Sequence, residues 1–306
     1  ELAIDYLSLR VTDELKRLLD TEVEAFTRSL EITQNRYAVG TAARSDVASA
    51  QAQLEQTRSQ ALNLGIQRAQ FEHAIAVLIG KPPADLSLPA IATVNRVPVI
   101  PTGVASTLLE RRPDVAAAER RVAAANAEIG IAVAAYYPDV TLSASYGYAG
   151  PVLGSLLQAA NSLWALGSQL AVTVFDAGAR SAQVEAARAF HEEAVATYRQ
   201  TVLAAFQQVE DQLVALRILE QQAVVQAGAV RAAREAEQLT LNQYRAGTVA
   251  YTNVITAQAT ALNTEQTARA ILQDRLLATV NLVEALGGGW NVSALAPDQT
   301  AATPTA

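Results

Sequence analysis

The chain has no cysteine and no methionine. The first absence excludes a disulfide framework, a thiolate metal site and a cysteine nucleophile. The second leaves no initiator residue, so the N-terminus is expected to be processed or cut. Aromatic residues are only 5% of the 306, although hydrophobic residues reach 51%. The apolar content is therefore mostly alanine, which costs least in a helix and lets helix backbones approach closely. No apolar run nears the ~18 residues of a membrane-spanning helix, and no signal peptide is present. Membrane association would have to come through strands or through an anchor outside this sequence. The net charge is −7 with the basic residues scattered, which argues against a nucleic-acid partner. His73 and His191 stand alone, without a second ligand at metal-binding spacing. No Ser-His-Asp set or paired-carboxylate constellation stands out. The reading is not an enzyme, with no cofactor and no metal site.

What the chain does have is a phrase written twice. "NRYAVGTAARSDVASAQ" starts at Asn35 and returns as "NQYRAGTVAYTNVITAQ" from Asn242, 207 positions later. Ten of the twenty positions from Thr33 to Ala52 are identical at that offset, and Leu9, Arg10, Arg68 and Gly80 recur as Leu216, Arg217, Arg275 and Gly287. A repeated unit longer than about 50 residues is a duplicated substructure, not a solenoid.

Each copy reads as a helical hairpin. Glu1 to about Val39 is helical from its first residue, Gly40-Thr41 breaks it, and a second helix runs to Ile79. From Ala179 to Tyr244 the helical pattern runs without proline, on the order of 100 Å at ~1.5 Å per residue. Gly247-Thr248 breaks it, and a shorter helix follows to the closing "LGGGW". Ser45 and Thr252 are the expected N-caps of the two returning helices. Between the hairpins, Pro113 opens a shorter helix closed by Pro138. The period then changes to two. In 139–148, Val140, Leu142, Ala144, Tyr146 and Tyr148 alternate with Thr141, Ser143, Ser145 and Gly147. In 163–175, Trp164, Leu166, Leu170, Val172 and Val174 share one face, with Gln169 and Thr173 on the other. Each strand is long enough to cross a bilayer at a tilt. The domain reading is 1–80, first hairpin, cut short on its N-terminal side; 81–112, proline-rich equatorial connector; 113–138, helix leading to the barrel; 139–176, strand pair; 177–290, second hairpin; 291–306, disordered tail.

The runs "RRPDVAAAERRVAAANAEIGIAVAAYYPDVTLSASYGY", "TVFDAGARSAQVEAARA", "FQQVEDQLVAL", "LNQYRAGTVAYTNVITAQ" and "ALGGGW" occur in this order between Arg111 and Trp290. Together they resemble TolC-like outer-membrane efflux ducts of the OprM and NodT lipoprotein branch. The resemblance implies a mainly α fold with a β-barrel part: long antiparallel hairpins forming a periplasmic tunnel, and strands contributed to one twelve-stranded barrel of a homotrimer. It implies an outer-membrane location in a Gram-negative cell, passive export of drugs or other small molecules, and two partners, a periplasmic adaptor (membrane fusion) protein and an inner-membrane pump of the resistance–nodulation–division (RND) type. Two features depart from that pattern. Only the second strand pair is here, and the segment that would carry a lipid-anchoring cysteine is not, so the chain reads as a fragment.

The resemblance also assigns sites. Asp46, on the first hairpin, would bond Tyr244, on the second, to hold the periplasmic mouth shut, with Gly40 and Gly247 making the tips. Family members that carry an Arg two residues after the tip Gly have it where Val249 stands. Those with a ring of Asp at the mouth have them where Asn253 and Thr256 stand, so weaker cation selectivity is expected. Asp46 can also be simply a first-turn acid favoured by the helix dipole. Leu142, Leu166, Leu170 and Val172 would face outer-membrane lipid, while Ser143, Ser145, Gln169 and Thr173 face the lumen or neighbouring side chains. Trp164, Tyr146 and Tyr148 would lie in the aromatic girdle or pack against loops. Metal-ion efflux and type I protein secretion remain alternatives within transport. A periplasmic structural coiled coil or adaptor is the alternative from another class.

Overall fold

The structure, a computed structural model, describes residues 1–91, 112–151, 154 and 157–288. Seven elements organise it: α1 (Leu2–Ala38), α2 (Arg44–Leu78), α3 (Pro113–Ala134), β1 (Asp139–Tyr148), β2 (Ser162–Ala171), α4 (Ala179–Arg245) and α5 (Tyr251–Ala285). They fall into two compact units. The first holds α1, α2, the part of α4 from Gln207 onward, and α5. The second holds α3, the strands and α4 as far as Phe206.

In the first unit, α2 buries Ala50, Leu54, Thr57, Ala61 and Leu64, a spacing of four, three, four and three. That is the heptad seam of helices packed side by side. The seam meets Leu19, Phe26 and Leu30 of α1, Tyr244 of α4, and Tyr251, Val254 and Leu262 of α5 in one core. Alanine at two of these five seam positions keeps the backbones close. A second, smaller core of Val209, Leu282 and Ala285 lies further along α4 and α5.

All four helices of this unit end alike. Gly40, Gly80, Gly247 and Gly287 have φ of 74°, 73°, 80° and 88°. At the first, Gly40 N–H donates to Tyr37 O at 2.9 Å and Thr41 N–H to Arg36 O at 2.8 Å. At the third, Gly247 donates to Tyr244 O and Thr248 to Gln243 O, at 2.9 and 3.0 Å. This is the Schellman stop, which needs a left-handed residue and so selects glycine. The expected caps are corrected here. Ser45 and Thr252 lie inside their helices, whose N-caps are Ala43 and Ala250, extended at ψ 154° and without a side-chain bond. Backbone bonds from Asp46 N–H to Ala43 O and from Asn253 N–H to Ala250 O, both 3.1 Å, start each helix early. The repeated hydroxyls act on the preceding helix instead: Thr41 Oγ1 donates to Arg36 O and Thr248 Oγ1 to Gln243 O, both at 3.0 Å.

In the second unit, Pro113 occupies the first turn of α3. Arg112 holds Asp114 through two bonds of 3.0 and 2.7 Å, and this pairing keeps the Asp114 carboxyl below its usual range. β1 and β2 pair antiparallel from Asp139↔Ala171 to Tyr148↔Ser162. The second strand therefore ends at Ala171, short of the expected 175. The next pair would set Val172 against Pro138, which has no N–H to give the ladder. Asp176 then turns the chain into α4, accepting Gly178 N–H at 3.1 Å and Arg180 N–H at 3.2 Å. The connector beyond Ile91 and the tail lie outside the described residues.

Candidate functional site at the hairpin tips

At the second tip, Tyr244 and Tyr251 lie tilted at 58° to each other with ring centroids 5.1 Å apart. Tyr244 is 3% exposed, and its hydroxyl is buried with no hydrogen-bond partner among the described residues. Its duplicate, Tyr37, is 47% exposed, so one repeated residue serves two different environments. Tyr251 shares a hydrogen bond with Ser29 at 3.1 Å, and burial raises its phenol pKa. Asp46 is half-buried in the first turn of α2, and its charge adds slightly to that rise. Asp46 and Tyr244 are not hydrogen-bonded to each other within the chain, since the Tyr244 hydroxyl has no partner. Asn253 and Thr256 are exposed on α5, with Thr256 Oγ1 bonded back to Thr252 O at 3.0 Å.

Arg36 is the tip residue that sequence reasoning missed. Its guanidinium lies 4.7 Å from the Tyr244 ring centroid. It also donates to the carbonyls of Tyr244 and, at 3.0 Å, Arg245, at the C-terminus of α4. A cation there meets both the aromatic face and the negative end of the helix dipole. Val249 leaves the tip loop without an arginine, and Arg36 supplies that charge from the other hairpin.

A set of buried charges was missed as well. Arg234 of α4 donates to Glu22 of α1, to Glu265 of α5 and, at 2.9 Å, to Glu237 one turn on. Glu22 is 2% exposed. Nearer the start of α1, Glu14 faces Arg269 of α5 at 3.0 Å. The available signal was a charge at a seam position: Glu22 sits between Leu19 and Phe26 at heptad spacing, where a solvated face would not put it.

In the second unit, the register places Leu142, Leu166 and Leu170 on one face with Val140, Ala144, Tyr146 and Trp164. Leu142 and Leu166 are each 80% exposed and Leu170 68%. Val172, beyond the strand end, is 59% exposed. Tyr146 and Tyr148 meet edge to face at 5.5 Å, with their hydroxyls 3.0 Å apart, and Trp164 lies opposite Tyr146. Ser143, Ser145, Gln169 and Gly167 occupy the other face.

Comparison with known proteins gives concordant results. The profile of the outer membrane efflux protein family matches residues 1–81 and 104–288. A probable efflux pump outer membrane protein of Pseudomonas putida, TtgC, is 32% identical over 289 residues, 93% of this chain and 59% of its own length. The outer membrane protein VceC of Vibrio cholerae is similar in structure, with a TM-score of 0.81 and 28% identity over 95% of this chain and 69% of that one. The open state of the MtrE outer membrane channel of Neisseria gonorrhoeae gives a TM-score of 0.79 at 27% identity, over 94% and 65%. The chain thus spans 59% of the length of the first curated relatives it matches.

Proposed function

We infer that this chain, which belongs to the outer membrane efflux protein family, is part of an outer-membrane duct for passive export of drugs or other small molecules. The observation that carries this reading is the strand pair: an exposed apolar face with Leu142, Leu166, Leu170, Val140 and Trp164, backed by a small and polar face. Lipid covers such a face at no cost, whereas water penalises an exposed apolar patch of that kind. The fold class supports a trimer in which each chain adds strands to a shared barrel and two hairpins to a tunnel. A periplasmic adaptor and an RND-type pump complete the assembly. Glu237, Glu22 and the other buried acids lie within helix seams and are structural in this reading.

The tips form the periplasmic mouth. Asp46 supplies a carboxylate, Gly40 and Gly247 the turns, and Asn253 and Thr256 an uncharged rim. Tyr244 holds a hydroxyl with no partner among the described residues, and a carboxylate such as Asp46 would supply one. The test is complementation. The full-length protein, expressed with its cognate adaptor and pump in a Gram-negative strain lacking its own duct, should fractionate with the outer membrane and restore drug efflux. A soluble periplasmic protein that restores nothing would sink the reading.

A further inference from the structure

Where α3 hands over to β1, the residues Tyr136, Tyr137 and Pro138 have no N–H to spare. Tyr136 N–H donates to Val133 O at 3.1 Å and Tyr137 N–H to Ala134 O at 3.0 Å, while Pro138 has none. If the ladder ran on past Asp139↔Ala171, Thr173 would come to face Tyr137 and find no donor there. The Ala135 carbonyl, at the end of α3, is one of the orphans that every helix C-terminus leaves. Arg180 of α4 serves both. Its guanidinium donates to Thr173 O at 2.9 Å and, more loosely, to Ala135 O at 3.5 Å. It also stands 5.3 Å from the Tyr136 ring centroid, and its Nε–H donates to the Asp176 carboxylate one turn back. One side chain thus touches the end of α3, the residue after β2 and the turn into α4.

The turn that delivers Arg180 is strained. Ala177 has φ 52° and Gly178 φ 90°, and a left-handed backbone that glycine adopts freely is unfavourable for alanine. Such strain persists where surrounding contacts hold it, and here they come from Asp176, which accepts from Gly178 N–H and from Arg180. We propose, resting on the outer-membrane reading above, that Arg180 is a positioning residue. It ties the helix-to-strand and strand-to-helix crossings into one joint, so that the strand pair enters the membrane in fixed relation to the end of α3 and the start of α4. Beside lipid, a carbonyl without a donor has no water to turn to, which makes the bilayer edge the place where such a joint matters. A guanidinium suits it, because a planar fork reaches several acceptors at once and the Asp176 carboxylate offsets its charge. A lysine has the charge without the fork.

The test uses the full-length protein, produced with its adaptor and pump in a Gram-negative strain lacking its own duct. Arg180→Met keeps the stem and removes the donors; it is expected to lose dye efflux and to leave the chain protease-sensitive. Arg180→Lys is expected to be impaired as well, whereas Ala177→Gly, which relieves the turn and keeps the arginine, should match the unsubstituted protein. A second measurement separates a missing joint from general misfolding. Purified Arg180→Ala is folded into phospholipid vesicles with millimolar guanidinium or with millimolar methylammonium, and the protease-resistant fraction is read. Guanidinium should restore folding and methylammonium should not. Full efflux from Arg180→Met or Arg180→Lys, or equal yields with the two cations, overturns the role of the fork. An unsubstituted protein that neither enters vesicles nor restores efflux overturns the outer-membrane reading instead.

Discussion

Arg234 balances three carboxylates with one positive charge, and the excess negative charge falls on Glu237. Burial is the main cause raising the Glu237 carboxyl above its ordinary 4.5, with Glu22 and Glu265 adding to the rise and Arg234 opposing it. A carboxyl with a raised folded pKa takes up a proton on folding, so its contribution to stability is present below pH 4.5 and lost as pH rises through the folded value. Glu237→Gln is expected to flatten the pH dependence of melting between mildly acid and neutral conditions, which thermal unfolding of the purified full-length protein at both pH values would record. Arg234→Met is expected to act the other way, stranding two buried carboxylates and the half-buried Glu265 at a cost of about 3 kcal/mol, the lower end of the range for broken buried pairs because the arginine is 30% exposed. Restoration by added Glu22→Gln would identify charge, not packing, as the cause.

At the scale of elements, helix stops and strand faces are the features open to test. Gly40→Ala and Gly247→Ala each force an alanine into a left-handed backbone, at about 1–2 kcal/mol. Gly65→Ala, in mid-helix with open space at its Cβ, should stabilise by about 0.5–1 kcal/mol, so the three variants together separate the turn from the helix interior. In the strands, Leu166→Arg, at mid-strand opposite Ala144, should cost roughly 2–4 kcal/mol of barrel stability near the bilayer midplane. Ala165→Arg, one position back and on the opposite face, should cost far less. Equal losses in a denaturant titration in lipid would mean the facing is wrong.

At the scale of the proposed duct, charge at the mouth is expected to set ion selectivity. Asn253→Asp with Thr256→Asp would add carboxylates to a rim whose residues at those positions are neutral and exposed. Planar-bilayer recordings should then show a shift toward cation selectivity and block by divalent cations. Asp46→Ala with Tyr244→Phe should raise single-channel conductance, because a bond from a charged group contributes about 1.5–3 kcal/mol to a closed state. An unchanged conductance would leave Asp46 as a first-turn acid favoured by the helix dipole and nothing more.

Much of this was legible in the one-dimensional chain. The duplication, the two hairpins, the Gly-Thr stops and the alternation in β1 all follow from local rules: which residues tolerate positive φ, and how far apart side chains must be to share a face. Those rules act within a few residues, so the sequence alone determined them. The tertiary structure decided what depends on the neighbour. Pro138 ended the second strand by standing opposite Val172 without an N–H to offer. Ala43 and Ala250 displaced Ser45 and Thr252 as caps because the bonds from Asp46 and Asn253 N–H to their carbonyls start each helix two residues early. Tyr244 is buried where its duplicate Tyr37 is exposed, and Glu22 faces a guanidinium where Ala229 has no charge to offer, although each pair occupies the same place in its repeat. Burial and charge pairing are properties of a contact between helices, and a repeat that writes the same helix twice does not say which of its faces will meet the other.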